Sequence, residues 1–118
     1  MERFITIGQV VIYKLSDVDV ERIIHRRNTE ITIAESLSEN RWSKVTQAHI
    51  GNWVGVGEEY PLIVTRTFER TDGIFGVNGQ VLLDGNDVLW VTSVKEGNDP
   101  GQWHITSSIR QINPGEDQ

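Results

Sequence analysis

Two arginines, one tryptophan and a few amides are the side chains in this sequence best suited to holding a ligand. Arg26 and Arg27 belong to the short basic run Arg22, His25, Arg26, Arg27. Their forked guanidinium groups suit one or two phosphates, although a solvated helix face accounts for the same run. Trp53 sits in Gly51-Asn52-Trp53-Val54-Gly55, beside glycines that leave room for an exposed ring. With Asn52 and arginine donors beside it, that ring offers stacking and hydrogen bonding to a base or adenine-like group. Asn78, Gln80 and Ser93 fall together on the polar face of an expected hairpin at residues 75–94. None of these seven groups is a catalyst by itself.

Other chemistries are weaker. A Ser-His-Asp set can be written from Ser93, His49 and Asp84, but no serine stands in a nucleophile elbow. His25, His49 and His104 lack ligand-like spacing, which argues against zinc. The run Asp84-Gly85-Asn86-Asp87, with Glu96, Asn98 and Asp99 nearby, holds oxygens that a hard cation uses. The same residue types are what a tight turn requires, and the spacing is not that of a helix-loop-helix calcium site. Glycines 73, 76 and 79 precede a strand and not a helix, so they form no dinucleotide-type phosphate loop. The expectation is a binding protein without catalytic group, metal or cofactor.

The hairpin is predicted with its turn at Asp84-Gly85-Asn86-Asp87, which sets Val81 opposite Trp90, Gly79 opposite Thr92 and Asn78 opposite Ser93. In that register Val77, Val81, Leu83, Val88, Trp90 and Val94 form the core face. Upstream, residues 5–14 are rich in β-branched types and read as an opening strand. Ser16 is a good N-cap, Asp17 and Asp19 suit the first turn, and Leu15 and Val20 have hydrophobic-staple spacing. A helix over about 17–27 follows, with Val20, Ile23 and Ile24 as its apolar stripe. Asn28-Thr29 reads as an interruption, and Thr32-Ile33-Ala34-Glu35 as the capping box of a second short helix burying Ile33, Ala34 and Leu37. Strands are expected at 48–54 and 62–68 and near Trp103, with Trp90 in the core and a loose tail from Pro114.

Composition bounds the rest. The chain has 118 residues, 37% hydrophobic, with four Trp and no Cys, which fits one globular domain over 1–113 and removes disulfides and thiolate chemistry. Net charge is −6, so the molecular field repels long nucleic acids. No basic leader or membrane-length apolar run is present, and a cytoplasmic protein is expected. The element order predicts an α+β fold: a small antiparallel barrel or curled sheet of about six strands, SH3-like, with two short helices inserted after the first strand. A flat sheet with helices on one side is the alternative. Exposed strand edges favour a homo-oligomer.

Several segments carry a resemblance: Tyr13-Lys14-Leu15-Ser16, Ile24-His25-Arg26-Arg27, Ala48-His49-Ile50-Gly51-Asn52, Leu83-Asp84-Gly85-Asn86-Asp87, Trp90-Val91-Thr92-Ser93 and Gly101-Gln102-Trp103-His104. Over about residues 7–104 they resemble a group of small, hypothetical bacteriophage proteins with no assigned activity or site. In size and acidity the chain is similar to phage proteins that sequester cyclic-nucleotide immune signals, the anti-Thoeris and anti-CBASS sponges. The analogy implies a non-catalytic oligomer in the infected host's cytoplasm that holds a nucleotide. Arg26 and Arg27 would take phosphate, Trp53 the base, and Asn52, Asn78, Gln80 and Ser93 the hydrogen bonds. The competing expectation is a protein-interaction module, either a virion component or an inhibitor of a host protein.

Overall fold

The computed structural model describes residues 5–38 and 51–105. Strand β1 (Val10–Lys14) leads into one helix, α1 (Asp17–Ser38), followed by β2 (Glu59–Glu69), β3 (Phe75–Leu82), β4 (Val88–Lys95) and the short β5 (Trp103–His104). The strands form one antiparallel sheet in the order β4-β3-β2-β1-β5. It curls into a half-barrel, and a bridge between Glu96 and Trp103 draws its two edges together at one corner. The expected α+β class with a small curled sheet is therefore present, built from five strands and not six.

Local chemistry fixes where α1 starts. The Ser16 hydroxyl accepts from the Asp19 amide at 3.1 Å, while the Asp19 carboxylate accepts from the Ser16 amide at 2.9 Å, a reciprocal capping box. Tyr13 donates its hydroxyl to the same carboxylate, which ties the helix start to β1. The expected break at Asn28-Thr29 does not occur. Thr29 donates its hydroxyl to the His25 carbonyl and Thr32 to that of Asn28, both at 2.9 Å. Such back-bonding to the preceding turn lets hydroxyl residues sit inside a helix, so one helix of 22 residues replaces the two predicted. Ile33 lies exposed on it and not buried.

The core lies between α1 and the inner face of the sheet. Ile23 and Leu15 meet Val11, Leu62, Val64, Val77, Val81, Leu89 and Trp103, all of them buried, with Val20 and Ile24 packed against this cluster. The opening strand is shorter than expected: residues before Val10 form a turn in which Gly8 has φ +94° and its amide bonds the Val64 carbonyl at 2.7 Å. Of the strand expected at 48–54, residues 48–50 lie outside the described residues. Gly51 makes a lone bridge to Gly85, and Asn52 to Val54 are not strand. Trp42, His49 and the tail from Pro114 also lie outside the described residues.

The hairpin register differs from the expected one by a single residue. Leu82 pairs with Val88, Val81 with Leu89, Gln80 with Trp90 and Gly79 with Val91. Leu83 leaves the ladder and is buried, so the connection runs from Leu83 to Asp87, one residue longer than predicted. Because side chains alternate with period two, that slip turns the first half of β4 over. Leu89 and Val91 enter the core, whereas Val88 and Trp90, assigned to the core above, point outward, Trp90 with 54% of its surface exposed. A bulge in β4, where Thr92 and Ser93 stand against the single residue Asn78, then resets the pairing, so that Val77 faces Val94 and both are buried as predicted. Ser93 takes up the bulge at φ 57°, its amide donating to Asn78 Oδ1 at 2.8 Å and its carbonyl accepting from Arg70 at 3.2 Å.

Candidate functional site

The seven candidate residues separate into two regions. Arg26, Arg27, Asn52 and Trp53 gather where α1 meets the β3–β4 connection. Asn78, Gln80 and Ser93 lie on the sheet, with Gln80 paired to the outward Trp90. The cleft beside Trp53 borders Arg27 but none of the three sheet residues, and the cleft that reaches Ser93 borders none of the first four.

In the first region the polar groups are spent on one another. Arg27, only 9% exposed, donates Nε to Asp87 Oδ2 at 2.8 Å, Nη2 to Asp87 Oδ1 at 3.0 Å and Nη1 to the Asn52 carbonyl at 2.7 Å. The paired hydrogen bonds to Asp87 push the guanidinium pKa up despite the opposing effect of burial. Arg26 donates to the Val88 carbonyl at 2.5 Å. Asn52 bonds Asp84 twice, through its amide to the carbonyl at 2.8 Å and through its side chain to the carboxylate at 2.7 Å. The backbone approach is close: a Cβ on Gly51 would stand 2.5 Å from Arg27 Nη2. This is a latch joining helix, loop and hairpin turn, and it explains the Asp-Gly-Asn-Asp run better than a cation site. Among the described residues no group of three or more His, Asp or Glu side chains is placed to hold a metal.

Trp53 is the exception in that region. Its ring is 77% exposed, as the flanking glycines led us to expect, and it borders a cleft of about 240 Å³ with Ile24, Arg27, Asn28, Ile31 and Val54. The cleft is apolar apart from Asn28 and the edge of the engaged guanidinium. It is smaller than the roughly 300–1,000 Å³ of an ordinary small-molecule site. A second cleft of about 280 Å³ runs between β4 and the start of α1, lined by Tyr13, Asp19, Arg22 and residues 90–94. Burial and the hydrogen bond to Asp19 hold the Tyr13 hydroxyl far above its usual range. The Ser-His-Asp set is not assembled among the described residues: Asp84 serves Asn52, and His49 lies outside them.

On the second region the sequence reading missed the principal feature, which is apolar. Register places two rows of side chains on the outer face of the sheet. One row runs Val10, Ile63, Gln80, Trp90; the other runs Ile12, Pro61, Leu82, Val88. Val10, Pro61, Leu82, Val88 and Trp90 are exposed, and Ile12 and Ile63 half-buried. The outer face of an antiparallel sheet is ordinarily polar, so an apolar patch spanning four strands and interrupted only by Gln80 departs from that rule. The sequence did carry a signal. Val10-Val11-Ile12-Tyr13, Pro61-Leu62-Ile63-Val64 and Val88-Leu89-Trp90-Val91 are unbroken apolar runs, the pattern of strands covered on both faces.

Among the described residues no helix is long and apolar enough to cross a membrane. No protein-family model, curated protein or solved structure matches the chain.

Proposed function

We propose that the protein is a non-catalytic interaction module that works through the outer face of its curled sheet, in the manner of a small SH3-like barrel presenting a sheet surface to another protein. What carries this reading is the double apolar row crossing β1 to β4, with Trp90 exposed near its edge. Aromatic and aliphatic side chains at the centre of a patch are the usual anchors of a protein interface. The polar groups that would contact a charged small molecule are largely bonded within the chain. A photo-crosslinking residue at Leu82 or Val88, compared with one at the exposed helix residue Val18, tests it in cells producing the protein. Protein adducts from the two sheet positions and none from Val18 are expected. Absence of adducts at the sheet positions would remove the reading.

A second reading, a phage accessory protein that sequesters a nucleotide-like signal in the host cytoplasm, draws on the exposure of Trp53 beside its cleft. Here the ring would stack on the base, and Arg26, whose side chain is 42% exposed, would supply phosphate contact from the flank of the latch. A panel of cyclic nucleotides in a thermal-shift assay decides it. A ligand at a hundred times its Kd stabilises by about 2.7 kcal/mol, an effect that Trp53→Ala should erase.

A further inference from the structure

The strand order leaves one side of β4 without a partner strand, and that free edge faces the first turns of α1. The carbonyl of Val88 is turned to this side, where it accepts from Arg26 at 2.5 Å. In an antiparallel ladder the residues whose peptide groups turn outward alternate, so Trp90 and Thr92 also turn their N–H and C=O groups away from β3. Those of Ser93 go back into the sheet, its amide to Asn78 and its carbonyl to Arg70. The cleft of about 280 Å³ lined by residues 90–94, Tyr13, Asp19, Arg22 and Gly101 is the space along that edge.

The edge is open over a short length only. Arg26 stops it at Val88, and beyond Lys95 the Gly97 amide bonds the Trp103 carbonyl at 2.8 Å and draws β5 across. Residues 90–94 between these stops make about 17 Å of strand at about 3.4 Å per residue. A groove stopped at the Arg26 end has room for a chain that finishes there and not for one that runs on. The charge at that end is positive. Arg22 lies one helical turn before Arg26, is exposed, and makes no ion pair or hydrogen bond among the described residues. Asp19, the other charged group lining the cleft, is 5% exposed, and its carboxylate is already taken by the Tyr13 hydroxyl and the Ser16 amide. We propose that this groove binds the C-terminal end of another protein chain as an added strand. The peptide pairs with the outward N–H and C=O groups of Trp90 and Thr92, and Arg22 takes its terminal carboxylate. With the carboxylate at the Arg26 end, the added strand runs antiparallel to β4. The site does not depend on the outer face, whose side chains stand perpendicular to the hydrogen-bonding edge.

To test this, the full chain is immobilised and offered a pool of random heptapeptides with free carboxyl ends, and the enriched sequences are remade for fluorescence polarisation. Expected are micromolar dissociation constants, raised at least tenfold when the carboxyl end is amidated. Arg22→Glu, an exposed change whose fold is checked by circular dichroism, should raise them by at least as much. N-methylation along the peptide should weaken binding at alternate residues only, because an added strand turns every second N–H to β4. Leu82→Lys, on the outer face, should leave the dissociation constant within about twofold. A pool that yields no enriched sequence overturns the proposal, as does binding indifferent to amidation, to Arg22→Glu or to N-methylation. Binding lost with Leu82→Lys and kept with Arg22→Glu would put the peptide on the outer face and overturn it too. Crosslinks from Leu82 and Val88 are read separately, so either reading can fail while the other stands.

Discussion

Around Arg27 polar groups meet polar groups, whereas on the outer face of the sheet apolar groups meet solvent. Arg27, Asp87, Asn52 and Asp84 are drawn from three separate stretches of sequence, and each finds its hydrogen-bond partner in the others. Burying a guanidinium is costly unless its N–H groups are satisfied, and here three of them are. Val10, Leu82, Val88 and Trp90 show the reverse, with side chains of the kind that builds a core left exposed on the far side of the sheet. Residue type alone marks the first region as the one that binds something. Once partners are counted, the first region is holding the fold together and the second has unmet surface.

Breaking the latch should give the largest effect. Asp87→Ala leaves a mostly buried guanidinium without its carboxylate, the side chains being 11% and 10% exposed, and should destabilise the protein by about 3 kcal/mol in urea unfolding. Replacing both partners, with Arg27→Met and Asp87→Leu, should cost much less. If the single and double changes cost the same, the pair is not what secures the turn.

Gly79→Ala comes next, at about 1–3 kcal/mol. A Cβ at Gly79 would lie 2.5 Å from the Ile63 carbonyl oxygen and run into the Leu62 side chain, so β2 and β3 would have to part beneath the outer face. The same urea titration reads it. A neutral result would mean that the sheet yields more easily than its close pairing suggests.

Alkaline pH should have a smaller effect, on the latch side. Burial first, and then the hydrogen bond to Glu58, push the Tyr60 pKa up to about 12, and Tyr13 is raised further by its burial and by Asp19. An unfolded tyrosine titrates near 10, so the folded state holds these protons more tightly. The resulting stability is intact below pH 10 and is lost as pH rises through 12. Tyr60→Phe should flatten the fall in Tm over that window.

Trp90→Lys should have the smallest effect on stability, within about 0.5 kcal/mol, because the ring is 54% exposed and contributes little to the core. A loss of several kcal/mol would show that Trp90 packs as the hairpin pattern first suggested and would end the contrast between the two regions.

Much of the fold was legible because it is local. Ser16 with Asp17 and Asp19 announces the start of α1, and the cap forms as spacing requires. The β-branched runs announce β1, β2 and the hairpin, and Val77, Val81, Leu83 and Val94 are buried as their alternation predicts. The exposure of Trp53 followed from its glycine neighbours. The continuity of α1 was not legible, since Asn28 and Thr29 are poor helix residues whose hydroxyl and carbonyl contacts within the helix outweigh propensity.

The sequence by itself determined where α1 begins, that β1, β2 and the two arms of the hairpin would be strand, and how much apolar surface they carry, since these depend on neighbours a few residues away. Tertiary structure decided which face of β4 is buried and which side chains are free for a ligand. Both outcomes depend on the Leu83–Asp87 connection, which is held by Gly51, Asn52 and Arg27 from far along the chain, Arg27 standing 60 residues from Asp87. One extra residue in that connection shifts the register by one. Because a strand alternates with period two, the shift moves Trp90 from the core to the surface and turns a hairpin face that reads as polar into an apolar one.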